Sequence, residues 1–411
     1  MAAIQLTIFH FSGRPLASIE AVSTWTSAHI ITRLHRIGCL PAGFRELRLF
    51  SDTVELRAGL PLSAVVPGGA ATLTLAVSGG LKVVTVSSDR SARIWDPATG
   101  ERLMTLLGHE DEVTSAQFSS NGHLVVTASD DATARVWSVD SGVCLHTLGP
   151  HGPAVTYAAF GPSGSLVLTT SRDNTAKVWR VSTGECVHTL GQVQNGLGTN
   201  EVTYGRFSPT ETVVITSSDD GTTKVWSMHS GSCVRSFDGS GVMSHTGAFL
   251  LTIDLFGCGH IWDSVSVDLK VSLEGYQNAV VPAFSPDDSY VLTASTEHCI
   301  HIWDTQNGAG VLNILQPAEE VTGASWAPDG LSIVTASDQG VATIWSVPAG
   351  LWCIVINGHD DFINTVQFSP DGRMVLTSSA DCTACVHSSH TGECLCVLDL
   401  HEDSVWSAFF G

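Results

Sequence analysis

One signal recurs along most of the chain at a nearly constant interval. A strand-like run ends in Trp at Trp95, Trp137, Trp179, Trp226, Trp262, Trp303 and Trp345, and His387 stands in the eighth place. The spacings are 42, 42, 47, 36, 41, 42 and 42 residues. SDDATARVW (129–137), SRDNTAKVW (171–179) and SADCTACVH (379–387) align without gaps. A period of about 40–45 residues, rich in Val, Ile, Thr and Ser, belongs to an all-β blade rather than to a helical solenoid.

Every unit has the same grammar. An apolar strand ends in Phe, as at Phe118, Phe160, Phe207, Phe284 and Phe368, and a turn of the Ser-Pro-Asp-Gly kind follows. A second strand then reads LVVTAS, LVLTTS, VVITSS or MVLTSS. After it come an Asp-bearing turn, the strand that ends in Trp, a Thr-Gly or Ser-Gly turn, and a short last strand such as LHTL. Four antiparallel strands cannot bury both faces alone, so such units must stack radially.

These features resemble the WD-repeat family from about residue 81 onward, with the Trp-Asp pair itself at Trp95-Asp96, Trp262-Asp263 and Trp303-Asp304. The resemblance implies an all-β propeller of eight blades. Seven is the alternative if the weakly matched unit at about 238–273, with Phe256 at its Asp position, is not a blade. It also implies a buried tetrad of His, Ser or Thr, Asp and Trp. One set would be His109, Ser129, Asp131 and Trp137, and a second His151, Ser171, Asp173 and Trp179.

The first unit has Ser87, Asp89 and Trp95 but neither a His nor a first strand. The chain ends in DLHEDSVWSAFF, a His followed by a first strand and nothing more. The fragments are complementary. Ser404–Phe410 is expected to complete the first blade, with His401 completing its tetrad, and closure of this kind removes an exposed sheet edge.

The chain divides on the sequence into residues 1–78 and 79–411. The first segment opens with alternating IQLTIFHF and LASIEAV, continues through a helix-compatible stretch from about Ser27 to Ile37, and ends with ELRLF and ATLTLAV. That ββαββ order is similar to the α+β ubiquitin-like β-grasp fold. Arg48 and Thr74 stand where ubiquitin's apolar recognition patch would lie, and no Lys precedes Lys82.

Charge separates the two segments. Residues 1–80 hold six Arg and four acids, leaving 13 basic and 36 acidic residues downstream in a chain of net charge −21. An acidic body repels phosphate backbones and anionic lipid, so nucleic acid and membrane are not the expected partners. The start, MAAIQLTIFHFSG, lacks the basic region and long apolar core of a signal peptide. No apolar run approaches the roughly 18 residues of a membrane span. Eleven Cys, an odd number, and no Asn-x-Ser/Thr sequon suit a reducing compartment, so a cytoplasmic address is expected, with the nucleus left open.

No phosphate loop, Gly-x-Ser-x-Gly or complete His-Glu-x-x-His occurs, so no enzyme activity and no cofactor are expected. Cys382-x-x-Cys385, with His387, Cys394 and Cys396 nearby, is the one metal-like cluster. Cys394 recurs as Cys144, Cys186 and Cys233, however, and small buried strand thiols explain the set better than zinc. The loops before the first strands are acidic in four units: Glu110-Asp111-Glu112, Glu319-Glu320, Asp360-Asp361 and Glu402-Asp403. Ring closure would make these neighbours, and Asp130, Asp219 and Asp338 add charge from the following turns. Solubility alone accounts for such acids. The sharper expectation is an arc that docks other proteins through Lys/Arg-rich peptides, with Asn364 and Trp406 as anchors near the central mouth. The chain is expected to be a monomeric scaffold, and a receptor in a ubiquitin-type pathway is the alternative.

Overall fold

The second strand of each unit explains the architecture. All five residues of Val83–Ser87 are buried, and so are all but the first of Leu124–Ser129 and of Leu166–Ser171. Successive side chains point to opposite faces of a sheet, so a strand buried throughout must be covered from both sides. The computed structural model provides that cover. It describes residues 3–10, 15–22, 47–51, 54–55, 70–77 and, from 81 onward, all but 192–199, 255–256, 265–267, 274–281, 295–298, 316–319 and 348–349.

Eight four-stranded antiparallel sheets form the blades, each ordered a-b-c-d by hydrogen bonding. Blade two runs Val113–Phe118, Leu124–Ser129, Ala134–Ser138 and Cys144–Leu148. The a strands of blades three to eight begin at Val155, Val202, Ser240, Ala283, Val321 and Ile363. Blade one is assembled from both ends: Val405–Phe410 pairs antiparallel with Val83–Ser87, placing Ala408 opposite Thr85, and Ser91–Trp95 and Arg102–Leu107 follow. The weakly matched fifth unit is a true blade of four strands, Ser240–Met243, Phe249–Ile253, Gly259–Asp263 and Leu269–Leu273, so the count is eight rather than seven.

The core lies between blades. Val84, Ile94 and Leu106 of blade one meet Val113, Phe118 and Trp137 of blade two in one cluster. On its other side, Val83 and Trp95 pack with Leu376, Val386 and Leu398 of blade eight. Each wedge of apolar contact is shared by two blades, so no blade has a complete core without its neighbours.

Side chains of the a strands also tie several blades to the next. Thr114 and Thr156 donate their hydroxyls to the carbonyls of Val155 and Val202, at 3.0 and 2.6 Å. Thr322 donates to Ile363 O at 2.6 Å, and Gln367 Nε2 to Ala408 O at 2.6 Å.

The contacts divide the chain into two compact units, Met1–Lys82 and Val83–Gly411. In the first, five strands have the order Pro15–Val22, Ala3–His10, Ala70–Val77, Leu47–Ser51 and Val54–Glu55. The Ala3–His10 and Ala70–Val77 pair is parallel and the others are antiparallel. The helix expected at 27–37 lies outside the described residues.

Candidate functional site

The b and c strands position a buried polar relay in each blade. In blade two, Trp137 lies opposite Val125, and its indole reaches along the sheet to donate to Thr127 Oγ1 at 2.9 Å. His109 Nε2 meets the same hydroxyl at 2.7 Å, and His109 Nδ1 lies 2.7 Å from Asp131 Oδ2. Blade three repeats this with Trp179, Thr169, His151 and Asp173, the last pair 2.9 Å apart. In the split blade, His401 Nδ1 lies 2.8 Å from Asp89 Oδ2 and His401 Nε2 lies 2.7 Å from Thr85 Oγ1, which accepts from Trp95 Nε1 at 2.8 Å.

The hydroxyl assigned from sequence is therefore corrected. Ser87, Ser129 and Ser171 do not join the relay; Thr85, Thr127 and Thr169, two residues earlier, do. Strand rise explains it. With Trp137 opposite Val125, Thr127 is about 7 Å along the strand and within reach of the indole, whereas Ser129 is about 13 Å away. The serines do something else: Ser129 Oγ donates to Asp111 O at 3.1 Å and accepts from Asp131 N at 3.1 Å. Ser87 Oγ donates likewise to Asp403 O at 3.0 Å, and Ser171 Oγ reaches the carbonyls of Pro153 and Ala154 at 3.3 and 2.8 Å.

Blade eight holds a fourth relay that the sequence reading passed over. His359 Nδ1 lies 2.8 Å from Asp381 Oδ2, and its Nε2 lies 2.8 Å from Thr377 Oγ1. Gly358-His359-Asp360 matches Gly108-His109-Glu110, which could have revealed it. His387 replaces the indole here, is fully buried, and has no hydrogen-bond partner on either ring nitrogen. Burial, with His359 nearby, depresses its pKa to about 4. The indole–threonine bond itself occurs in all seven Trp blades, including Trp226–Thr216, Trp262–Thr252, Trp303–Thr293 and Trp345–Thr335.

The relay also fixes the acidic loops. Burial alone would raise the carboxyls of Asp89 and Asp131, but hydrogen bonds from His401 and Ser91, and from His109 and Thr133, hold both well below the usual range. The same Oδ2 that faces the His also accepts the backbone N–H of the residue after it: Glu402 on Asp89, Glu110 on Asp131 and, in blade eight, Asp360 on Asp381, at 3.3, 3.1 and 3.1 Å. The next residue is held from the other side through its carbonyl, Asp111 by Ser129, Asp403 by Ser87 and Asp361 by Ser379. Six carboxylate side chains, Glu110, Asp111, Asp360, Asp361, Glu402 and Asp403, are thereby exposed on rigid backbone.

These loops belong to blades eight, one and two, which are consecutive, and Glu320 of blade seven extends the row. Its N–H donates to Asp338 Oδ1 at 3.1 Å, so Asp338 is a loop clamp like Asp131. Glu319 lies outside the described residues. Asp130 lies 3.8 Å from Arg172. Burial raises its pKa against the pull of Arg172, and Glu112, Asp111 and Asp131 push it further up, as expected where negative charge accumulates. Asp219 belongs to blade four, on the far side of blade three, and is removed from the arc. Asn364 is not a free anchor, because its Nδ2 donates to Val405 O at 2.9 Å and joins blades eight and one. Trp406 keeps an exposed ring, 43% accessible, while its N–H donates to Ser88 Oγ at 2.8 Å.

Comparison with known proteins reaches the same repeats. The family model described as "WD domain, G-beta repeat" matches residues 100–138, 142–180, 184–227, 268–304, 311–346 and 352–388, more than half of the chain. The chain belongs to the WD-repeat family. It is 32% identical over 77 residues to nuclear distribution protein PAC1 of Mycosarcoma maydis, a match covering 19% of this chain and 17% of that protein. Each WD repeat matched here begins within two residues of the start of a d strand and ends on the last residue of the c strand of the following blade, as 142–180 does. Repeat and blade are out of phase by one strand, which is why the ring's two ends share a sheet.

The thiols of this WD-repeat ring are also placed differently from expectation. Cys186, Cys233 and Cys394 are exposed and Cys144 is half-buried, each at the start of a d strand. Each Sγ donates to the carbonyl two residues on, at 3.5, 3.3, 3.4 and 3.5 Å for Cys144, Cys186, Cys233 and Cys394. Cys382 takes the left-handed turn position after Asp381, φ 72°, as Ala132 does after Asp131 at 67°. Cys385 is buried on the following strand, and burial pushes its thiol up to about 12. Among the described residues no three His, Cys, Asp or Glu side chains are arranged to hold a metal.

Proposed function

We propose that this WD-repeat ring is a non-enzymatic scaffold whose acidic rim docks a Lys/Arg-rich segment of a partner protein. The observation that carries the reading is the row of exposed carboxylates on blades eight, one and two, each on a backbone clamped by a relay Asp and a strand-b hydroxyl. Clamping lowers the ordering entropy that binding would otherwise cost, and contiguous negative potential speeds encounter with a cationic partner. Trp406, exposed on the strand that follows Glu402 and Asp403, offers an apolar surface. The test is the Asp360→Lys/Asp361→Lys double variant. It should weaken a basic partner at least about tenfold, or 1.4 kcal/mol, and flatten the salt dependence of binding. An unchanged affinity and salt slope would sink the reading. We further propose that the scaffold acts as a monomer in the cytoplasm.

A second reading rests on the first unit. Its sheet order, with one parallel pair at the centre, supports a ubiquitin-like β-grasp domain over 1–78 fused to the ring, and hence an adaptor in a ubiquitin-type pathway. Affinity capture with the full chain and with residues 81–411 separates the two readings. Ubiquitin-pathway proteins retained only by the full chain would favour the second.

A further inference from the structure

The acidic rim is one of two mouths of the ring, and the other has different chemistry. At the opposite end, where each a strand enters its a–b turn, two adjoining cavities of about 520 and 360 Å³ share Tyr204, Arg206 and His245 as lining residues. The chain holds 40 acidic and 19 basic residues, yet among the described residues no Asp or Glu lines either cavity. The carboxylates of the adjoining turns are engaged. Glu211 accepts from Ser163 N and Oγ at 2.6 and 2.9 Å. Asp288 accepts from the backbone of His245 and Thr246, both at 2.8 Å, and its Oδ1 lies 3.3 Å from His245 Nδ1.

Arg206 is exposed between the two cavities. On one side, Tyr157 and Tyr204 face each other with ring centroids 5.2 Å apart. Burial, and then Tyr204, raise the Tyr157 phenol above its ordinary range, so it stays a neutral donor. On the other side, Val242, Met243 and the Trp326 ring give an apolar lobe, with the Trp326 N–H already donating to Ala283 O at 3.2 Å. A guanidinium presents a forked pair of donors that matches a carboxylate, and aromatic neighbours keep that pair partly dry. A lone small anion would meet Arg206 and leave most of both cavities empty.

We propose that this mouth, across blades two to seven, binds an acidic peptide segment, its carboxylate on Arg206 and an adjacent apolar side chain against Trp326. The proposal is independent of the rim, because it lies at the opposite end of the ring and takes a partner of opposite charge. To test it, the full chain is panned against a randomised peptide display library, and recovered peptides are labelled with fluorescein for anisotropy titration. Recovered peptides should pair Asp or Glu with apolar residues. Arg206→Glu should weaken them at least about tenfold, and added salt should weaken them further. Asp360→Lys/Asp361→Lys should leave their affinity unchanged. Recovery of no acidic consensus, equal binding by Arg206→Glu, or displacement by inorganic phosphate as effective as by unlabelled peptide would each overturn it. Arg206 is exposed, so folding should survive the change; a circular dichroism melt checks this, and Arg206→Gln is the milder second variant.

Discussion

Thr127 shows how much can hang on one hydroxyl. With Asp131 accepting from His109 Nδ1–H, Nε2 is left as an acceptor, so Thr127 donates to it and accepts from the Trp137 indole. Removing that oxygen strands two buried groups, each costing about 1–3 kcal/mol. Thr127→Val should therefore lower unfolding free energy by about 2–4 kcal/mol in urea titration, and Ser129→Ala by about 1 kcal/mol. Equal losses would mean that the relay hydroxyl contributes no more than the serine that holds the loop. The Trp, His and Asp positions were legible because they punctuate the repeat. The threonine was legible too, always ten residues before the Trp, but Ser129 sits conspicuously beside the Asp turn and drew the assignment.

At the scale of the element, the final strand matters most. Val405–Phe410 covers one edge of Val83–Ser87 and contributes Val405 and Ala408 to the wedge between blades one and eight. Deleting residues 404–411 should leave an unpaired edge and an open ring, seen as a lost cooperative thermal transition and as association in size-exclusion chromatography with light scattering. A truncated chain that melts like the intact one would show that closure contributes little. This pairing could be read from the two fragmentary units, since each lacked what the other had. Blade five was harder to read, because Trp262 remains but Phe256 stands at the Asp position. It forms through apolar contacts, Leu251, Ile261 and Leu273 packing with Phe284 and Trp303 of blade six, which carry no positional signature in sequence. The side-chain ties between a strands, such as Asn364 to Val405, were invisible because they join residues from different repeats.

For the whole molecule, the relays predict how stability follows pH. Burial lowers the pKa of His151 and His401, and that of His387 to about 4, relative to about 6.5 for an exposed imidazole. Between those values the unfolded chain binds more protons, so stability falls as pH drops below about 6.5. The lowered carboxyls of Asp89, Asp131, Asp173 and Asp381 add stability that is present above the ordinary Asp value of about 3.9 and is lost only at still lower pH. His387→Trp isolates one contributor. The indole should give its N–H to Thr377 as in the other seven blades, raise stability at neutral pH by about 1 kcal/mol, and remove up to about 1.4 kcal/mol per pH unit of slope between pH 6.5 and 4. Calorimetric melting across that range reads both effects. Parallel curves for the two proteins would mean that His387 does not titrate on unfolding.

The split blade also imposes a timetable. Val83–Ser87 must find the strand Val405–Phe410 and the loop before it, whose His401 and Asp403 bond Thr85 and Ser87 from 316 residues further along. At roughly 5–20 residues per second of synthesis, the first half of that sheet waits tens of seconds on the ribosome before its second half exists. Throughout that wait, a nascent chain carries a bare hydrogen-bonding edge on Val83–Ser87, open to pairing with other strands until Val405–Phe410 has been made.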